Sequence, residues 1–219
     1  MRVKGLDCSH WNFVDWAYWW DQGYRFAIIK VTEGTGFEDE AWLDHYAGAK
    51  EKGFLVGPYH WFTPYLNGIS QARWMHSVAR VRDWDLGPTL DVEEQSDLSP
   101  EVYGARVRAF INECYNLWEK SPIVYTSAYK WKATGNITVP ADLWVAHWTS
   151  RPEPLLPVGW TEWTFWQTGV DVLDQDVFNG TEEQLREYAE VGNNGEVYEH
   201  EVRVPKDAND INLYIRKIL

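Results

Sequence analysis

The sequence has little cysteine, no long hydrophobic run and no excess of basic residues. Its 219 residues include two cysteines, Cys8 and Cys114, which have neither metal-ligand nor redox spacing. We therefore expect buried free thiols instead of a disulfide framework. No apolar stretch approaches the ~20 residues that span a bilayer, and no apolar signal-peptide core follows Met1. The sequence thus predicts no membrane insertion and shows no secretory leader.

Basic residues are outnumbered by acidic ones, 20 to 33, which gives a formal net charge of −13. Nucleic-acid binding calls for a basic patch, and anionic membrane surfaces attract basic segments. The charge balance argues against both partners and favours a neutral or cationic one. The histidines are scattered and the acids form no evident ligand cage, so we predict no metal and no other cofactor.

Aromatic residues are abundant, with 15 Trp, 12 Tyr and 8 Phe. A hydrophobic core should account for at least half of the tryptophans, but many cannot be fully buried. Exposed Trp and Tyr rings in a cleft suit the flat apolar faces of sugar rings. The composition therefore favours a glycan ligand.

Two acids, Asp91 and Glu93, lie two residues apart in a predicted short strand after the breaker pair at 87–88. Alternate strand residues point the same way, with Cα atoms about 6.5–7 Å apart. In a cleft, desolvation and the like-charged neighbour would raise one pKa, leaving one protonated acid and one carboxylate. Glycosidic bond cleavage uses such a pair. The alternative is an exposed edge strand with two solvated acids, and spacing alone does not decide between them.

Strands and helices are predicted to alternate, as in an α/β fold with a mostly parallel sheet. The strand candidates cover residues 3–9, 26–31, 54–62, 89–93, 122–126, 143–148, 163–167 and 172–178. The helix candidates cover residues 15–22, 38–52, 68–82 and 100–120, with a further start near 181. Eight strands suggest an irregular (β/α) barrel resembling a TIM barrel, with fewer than eight helices and its active site at the C-terminal strand ends.

Residues 1–190 are predicted to form this barrel domain. Residues 191–219 are turn-rich and form a predicted C-terminal extension: a β-hairpin, a dimerisation element or a linker stub. We expect a monomer. Polar and aromatic side chains recur where the predicted strands end: Asp7, Lys30, Glu33, Tyr59, His60, Asp91, Glu93, Tyr125, Trp144, Gln167, and Asp174 or Asp176. A single acid at the end of a strand is usually a helix cap, but several acids at one rim predict a functional site.

Six segments resemble, in chain order, the family-25 glycoside hydrolases, which are Chalaropsis-type lysozymes or N-acetylmuramidases common as phage endolysins. They are GLDCSHW at 5–11, IKVTEG at 29–34, GPYHWF at 57–62, LDVE at 90–93, WQ at 166–167 and LDQDVFNG at 173–180. The resemblance spans residues 3–190. It implies hydrolysis of the β-1,4 bond between N-acetylmuramic acid and N-acetylglucosamine in peptidoglycan.

By position, the resemblance implies that Glu93 is the general acid/base. Asp91 is either a nucleophile or, as we favour, the group that orients a substrate acetamido oxygen for attack. Asp7 and Asp174 match the family's acids on the first and last strands. Asp176 is the rival for the last place, although the family more often has Asn there.

The predicted substrate-binding residues are Tyr59, Tyr125, Trp144, His60, Trp61, Gln167 and Asp176. His10 and His60 are expected to pack beside the site more than to act as bases, and Lys30 and Glu33 to form an ion pair at the rim. The enzyme would be secreted or released to the bacterial wall, for instance by phage-type lysis. The alternatives are a chitinase-like retaining hydrolase and a non-catalytic glycan-binding module.

Overall fold

The structure is a computed structural model that describes residues 2–191. The strands are β1 Val3–Cys8, β2 Tyr24–Glu33, β3 Phe37–Glu38, β4 Leu55–Trp61, β5 Thr89–Asp91, β6 Ile123–Thr126, β7 Asp142–Ala146, β8 Phe165–Val170 and β9 Asp174–Phe178. The α-helices are α1 Trp16–Asp21, α2 Trp42–Lys52, α3 Gly68–Ala79, α4 Pro100–Leu117 and α5 Glu182–Val191. A 3₁₀ helix covers Lys130–Thr134.

Eight of these strands close into a barrel, in the order β1-β9-β8-β7-β6-β5-β4-β2, because β1 pairs with both β2 and β9. The short β3 lies outside it, as a hairpin partner of β2. Strand β9 runs antiparallel to both of its neighbours. Its first residue therefore lies on the rim formed by the C-terminal ends of the parallel strands. The predicted irregular barrel with fewer than eight helices is confirmed.

The barrel interior is apolar below and polar near this rim. Its buried lower layers include Phe26, Ile28, Ile123, Trp144, Phe165 and Phe178. Gly5 is needed in this packing, because a Cβ atom there would lie 2.2 Å from Cζ of Phe26. Since inward side chains alternate along a strand, the next inward residue of β1 after Gly5 is Asp7. The filled lower half leaves the rim as the place where polar side chains can meet a ligand.

Helices cover the outside of the barrel. The outward side chains of the strands pack beneath them in two apolar clusters that include Trp16, Phe54, Phe62 and Phe110. Eight of the 15 tryptophans are buried, as the sequence predicts for a Trp-rich core: Trp16, Trp19, Trp42, Trp84, Trp131, Trp144, Trp163 and Trp166. None of the helices in residues 2–191 is long and apolar enough to cross a membrane.

Several element boundaries differ from the predictions. The acidic strand β5 ends at Asp91, so Glu93 lies in the segment that follows it. Helix α2 begins at Trp42 and not near 38, because Phe37–Glu38 pairs with β2. Helices α3 and α4 each end about three residues earlier than predicted. The predicted C-terminal extension lies outside the described residues, except for Val191 at the end of α5.

Candidate active site

Five acids project toward the polar end of the barrel. Asp7 lies on β1 and directly opposes Asp174 of β9, and Asp176 follows two residues further along β9. Asp91 ends β5 between Trp61 of β4 and Tyr125 of β6; Glu93 follows it. Barrel closure thus gathers acids from the first, middle and last thirds of the described chain.

Asp91 is buried, and its Oδ1 atom has no hydrogen-bond partner among the described residues. Burial, followed by repulsion from Glu93 and Asp7, raises its pKa well above the ordinary range, while Lys30 and Lys130 oppose the rise. An unpaired buried carboxyl oxygen is energetically unfavourable. A substrate N–H or O–H donor would relieve that cost.

Glu93 is half-buried at the rim. Burial raises its pKa, repulsion from Asp174 adds to the rise, and Lys130 and Lys30 oppose it. The Nζ atom of Lys130 donates a hydrogen bond to the backbone carbonyl oxygen of Glu93 at 2.7 Å. Sequence reasoning missed Lys130, because the short 3₁₀ helix that it begins carries no recognisable motif. A protonated Glu93 at the edge of a cleft has the form that a general acid needs.

Asp7 is held by a chain of hydrogen bonds across the barrel. Its Oδ2 atom accepts from Nε2 of Gln167 at 2.9 Å. The Oε1 atom of Gln167 accepts from the hydroxyl of Tyr125 at 2.8 Å and from Nε1 of Trp148 at 3.2 Å. Burial and repulsion from Asp174 raise the pKa of Asp7 to about 7. Gln167 and Tyr125, both predicted to bind substrate, are buried here and support Asp7.

Asp174 and Asp176 face the same side but differ in depth. Asp174 is half-buried at the rim, and burial raises its pKa. Asp176 is 2% exposed, and its Oδ1 atom accepts a hydrogen bond from Nε1 of Trp144 at 2.8 Å. Of the two registers that the sequence left open, only Asp174 is accessible to a ligand in this arrangement.

Lys30 and Glu33 form the predicted ion pair at the rim, with 2.9 Å between Nζ and Oε2. The Nζ atom of Lys30 also lies 5.1 Å from the ring centroid of Trp61. Trp61 is half-buried, and its Nε1 atom donates to Oε2 of Glu94 at 3.3 Å. Trp61 and Tyr59 are partly exposed on inward positions of β4, so both line the opening.

Exposed aromatic side chains surround the same opening. They follow the C-terminal ends of β1, β2, β4, β6 and β7, and comprise Trp11, Phe37, Tyr65, Tyr129 and Trp148. The ring of Trp11 lies 4.4 Å from that of His10, whose Nδ1 atom is 2.6 Å from Oδ2 of Asp39. His10 packs and hydrogen-bonds beside the site, as expected. These rings offer apolar faces to a ligand longer than the acid cluster.

The substrate-binding prediction for His60 is wrong in this arrangement. His60 is fully buried on the outward face of β4, because alternation along the strand sends Tyr59 and Trp61 inward. Its ring nitrogens are 2.8 Å from Oγ1 of Thr32 and 3.2 Å from Oε1 of Gln71. Burial lowers the pKa of His60 to about 3. It is a neutral core residue.

Trp144 is also placed differently from the prediction of a substrate contact. It is 2% exposed on an inward position of β7 and meets Asp176 instead of a ligand. Its ring packs against Tyr125, with 4.4 Å between centroids. Within residues 2–191, no group of three or more His, Cys, Asp or Glu side chains could hold a metal ion.

Comparisons with known proteins agree on one family and one fold. The sequence model of glycosyl hydrolases family 25 matches residues 6–172. Lysozyme M1 of Streptomyces globisporus is 31% identical over 207 residues, spanning 84% of this chain and 70% of that protein. N,O-diacetylmuramidase of Arthroderma benhamiae is 32% identical over 212 residues, spanning 87% and 88%. A family GH25 lysozyme from Aspergillus fumigatus superposes with a TM-score of 0.79 at 31% identity, covering 86% of this chain and 99% of the other.

Proposed function

The chain belongs to glycosyl hydrolases family 25, and we propose that this lysozyme cuts the β-1,4 bond between N-acetylmuramic acid and N-acetylglucosamine, with Glu93 as its proton donor. It is a glycoside hydrolase that acts on peptidoglycan. The observation that carries the residue assignment is the pair Asp91 and Glu93 at the open end of the barrel, where burial raises the pKa of both acids.

In the first step, Glu93 gives its proton to the glycosidic oxygen as the bond from that oxygen to the anomeric carbon breaks. The carbonyl oxygen of the substrate's own 2-acetamido group attacks the anomeric carbon from the opposite face. Because this nucleophile is tethered to the reacting sugar, little entropy is lost on attack. The unpaired Oδ1 atom of Asp91 supports a role in accepting the acetamido N–H.

In the second step, the Glu93 carboxylate takes a proton from water, whose oxygen attacks the anomeric carbon. The bond to the acetamido oxygen breaks, the acetamido group is restored and Glu93 regains its proton. Two successive inversions give net retention of configuration. In their carboxylate forms, Asp91 and Asp174 stabilise the positive charge that develops on the sugar, because a negative charge near the anomeric carbon lowers its energy.

The remaining side chains of the opening hold the glycan. Tyr59 is partly exposed on an inward position of β4, so its hydroxyl can meet the substrate. Burial raises its pKa well above the ordinary range, which keeps it a neutral donor. Trp61 and the exposed aromatic side chains of the rim offer faces for sugars along the strand.

The barrel domain of residues 1–190 acts as a monomer on peptidoglycan strands at the bacterial wall, and not on nucleic acid. The net charge of −13 supports this choice of partner, because phosphate backbones would be repelled. Secretion or release on lysis would bring the enzyme to the wall.

The test compares Glu93→Gln with Glu101→Gln, the same substitution at an exposed position on α4. Clearing of a bacterial wall suspension and new reducing ends at muramic acid measure turnover. Glu93→Gln should lose at least about 100-fold in rate because a proton donor is removed, while wall binding and the activity of Glu101→Gln stay unchanged. Asp91→Asn should also be severely impaired.

Other outcomes would refute the proposal. Near-normal turnover in Glu93→Gln would remove Glu93 from its role. Wall binding without new reducing ends in the wild-type protein would indicate a glycan-binding module. Reducing ends at N-acetylglucosamine, from chitin in preference to wall, would indicate a chitinase-like hydrolase.

A further inference from the structure

Asp176 carries a buried polar atom that ordinary donors do not satisfy. Its Oδ1 atom accepts from Trp144, but its Oδ2 atom is buried and receives no hydrogen bond from the amide, hydroxyl or ring N–H groups of the described residues. The carboxyl group of Asp176 instead lies within hydrogen-bonding reach of the carboxyl of Asp7. Two ionised carboxylates cannot form a hydrogen bond, because neither has a donor.

The strand register explains how the two acids meet. Across the β1–β9 ladder, Asp176 is opposite Gly5, and Asp7 is opposite Asp174. Asp7 and Asp176 are therefore diagonal neighbours on one face, a spacing that side chains can bridge. Gly5 has no side chain, and the ring of Phe26 packs where a Cβ atom would stand, so β1 places no side chain of its own opposite Asp176.

We propose that Asp176 is a positioning residue: its carboxyl group keeps a proton and donates it in a hydrogen bond to Asp7. Asp7 is then held by two donors, Asp176 and Gln167, and the pair bears one negative charge when Asp7 ionises. The consequence for catalysis rests on the proposed function, in which Asp7 is one of the acids around the reacting sugar. The protonation of Asp176 does not depend on that function.

The electrostatic surroundings support a shared proton. Burial, then repulsion from Asp7, raises the pKa of Asp176 well above the ordinary range, whereas the pKa of Asp7 is raised to about 7. The titratable groups that face the pair from the surrounding elements are Asp174, Asp91, Glu93, Tyr24, Tyr59, Tyr125 and Cys8. Each of these is neutral or negative, so none would stabilise a second negative charge on the pair.

A charge measurement tests the proton without any substrate. Asp176→Asn keeps a donor for Asp7 and an acceptor for Trp144, so we expect it to fold. The pKa of Asp7 is about 7, so native electrophoresis is run at a higher pH, where Asp7 is ionised. Asp176→Asn should then migrate with the wild-type protein. The matched control Asp21→Asn, at an exposed position on α1, should migrate one charge step more slowly. An equal step for Asp176→Asn would show that Asp176 is ionised and overturn the proposal.

A second measurement uses infrared spectroscopy. Above the pKa of Asp7 the wild-type spectrum should contain C=O stretching bands of protonated carboxyl groups, and Asp176→Asn should remove the component that belongs to Asp176. The absence of any such band from the wild-type spectrum would overturn the proposal even if the variant failed to fold.

Kinetics separate positioning from a merely structural role. Asp176→Asn should keep kcat within about threefold, whereas Asp176→Leu, which has no donor, should lower kcat about 100-fold with little change in KM. Without its donor, Asp7 should titrate about one pH unit higher in the leucine variant, the scale of one lost hydrogen bond. Equal losses in both variants with an unshifted pH profile would contradict the positioning role. An inactive wild-type enzyme would instead refute the proposed function and leave the charge result standing.

Discussion

Lys130 and Glu93 are joined by a hydrogen bond of 2.7 Å from the lysine Nζ atom to the glutamate backbone carbonyl oxygen. The bond ties the segment after β5 to the 3₁₀ helix that begins at Lys130. The same ammonium group opposes the rise that burial causes in the pKa of Glu93 and of Asp91. One side chain therefore influences both the position and the proton affinity of the proposed general acid.

Removing this ammonium group should move the pH profile of the enzyme. In Lys130→Met the pKa of Glu93 rises further, because Lys130 lowers it in the native protein. A general acid must be protonated, so the alkaline limb of the kcat/KM profile should move to higher pH. Loss of the tether should also reduce kcat roughly tenfold. Pre-steady-state and steady-state rates across pH would measure both effects.

Two further variants are the controls for this prediction. Lys130→Arg keeps the charge and a donor and should stay near the wild-type profile. Lys132→Met removes an exposed charge two residues away and should leave the profile unchanged. An unshifted alkaline limb in Lys130→Met would mean that Lys130 does not influence the acid that limits the rate.

The depth difference on β9 predicts different penalties for two identical substitutions. Asp174 is accessible at the rim, whereas Asp176 is 2% exposed and meets other protein groups. Asp174→Asn should lower kcat about 10- to 100-fold by removing a charge that faces the reacting sugar. Asp176→Asn should lower kcat less than Asp174→Asn does. Steady-state kinetics on soluble muropeptides would give both values, and the reverse order would assign the reactive register to Asp176.

The raised pKa of Asp7 predicts that this acid destabilises the folded protein at neutral pH. An unfolded Asp titrates near 3.9, whereas burial and Asp174 raise the pKa of folded Asp7 to about 7. Between these values the folded state binds more protons than the unfolded state, so stability falls as pH rises through this window. Above it the penalty is complete, and below pH ~4 it is absent.

Asp7→Asn should therefore raise the free energy of unfolding at neutral pH, by on the order of 1–3 kcal/mol. The gain should shrink as pH falls toward 4, while the exposed control Asp21→Asn changes stability little at either pH. Urea unfolding at several pH values would measure this difference. A gain that does not depend on pH would exclude the ionisation of Asp7 as its cause.

His60 should matter for stability and not for turnover. His60→Leu leaves Oγ1 of Thr32 without its partner and removes one contact of Gln71, whose Oε1 atom still accepts from the backbone N–H of Thr63 at 2.9 Å. The unpaired buried hydroxyl should destabilise the protein by roughly 1–3 kcal/mol. At temperatures where the variant stays folded, kcat and KM should match the wild-type values. A raised KM with unchanged stability would restore the substrate contact that the sequence suggested.

Local sequence was sufficient to predict the barrel and the five acids at its open end. Apolar runs such as 26–31 and breakers such as Gly87 act over a few residues, so each strand could be located without knowing its neighbours. The spacing of Asp91 and Glu93 predicted a shared direction even though the strand ends between them. Boundaries were less predictable where a distant segment competes, as Phe37–Glu38 does by pairing with β2.

By itself the sequence determined the succession of strands along the chain, the positions of the acids on them and the family to which the chain belongs. These depend on periodicity and on short segments. Only the tertiary structure decided that β9 runs antiparallel, that His60 points outward, that Lys130 reaches Glu93 and that Asp176 meets Asp7. These contacts join residues that are far apart in the sequence. His60 and its partner Gln71 are 11 positions apart, and Asp7 and Asp176 are 169 positions apart. They arise when closure of the barrel pairs remote strands and removes their side chains from water, which no local pattern records.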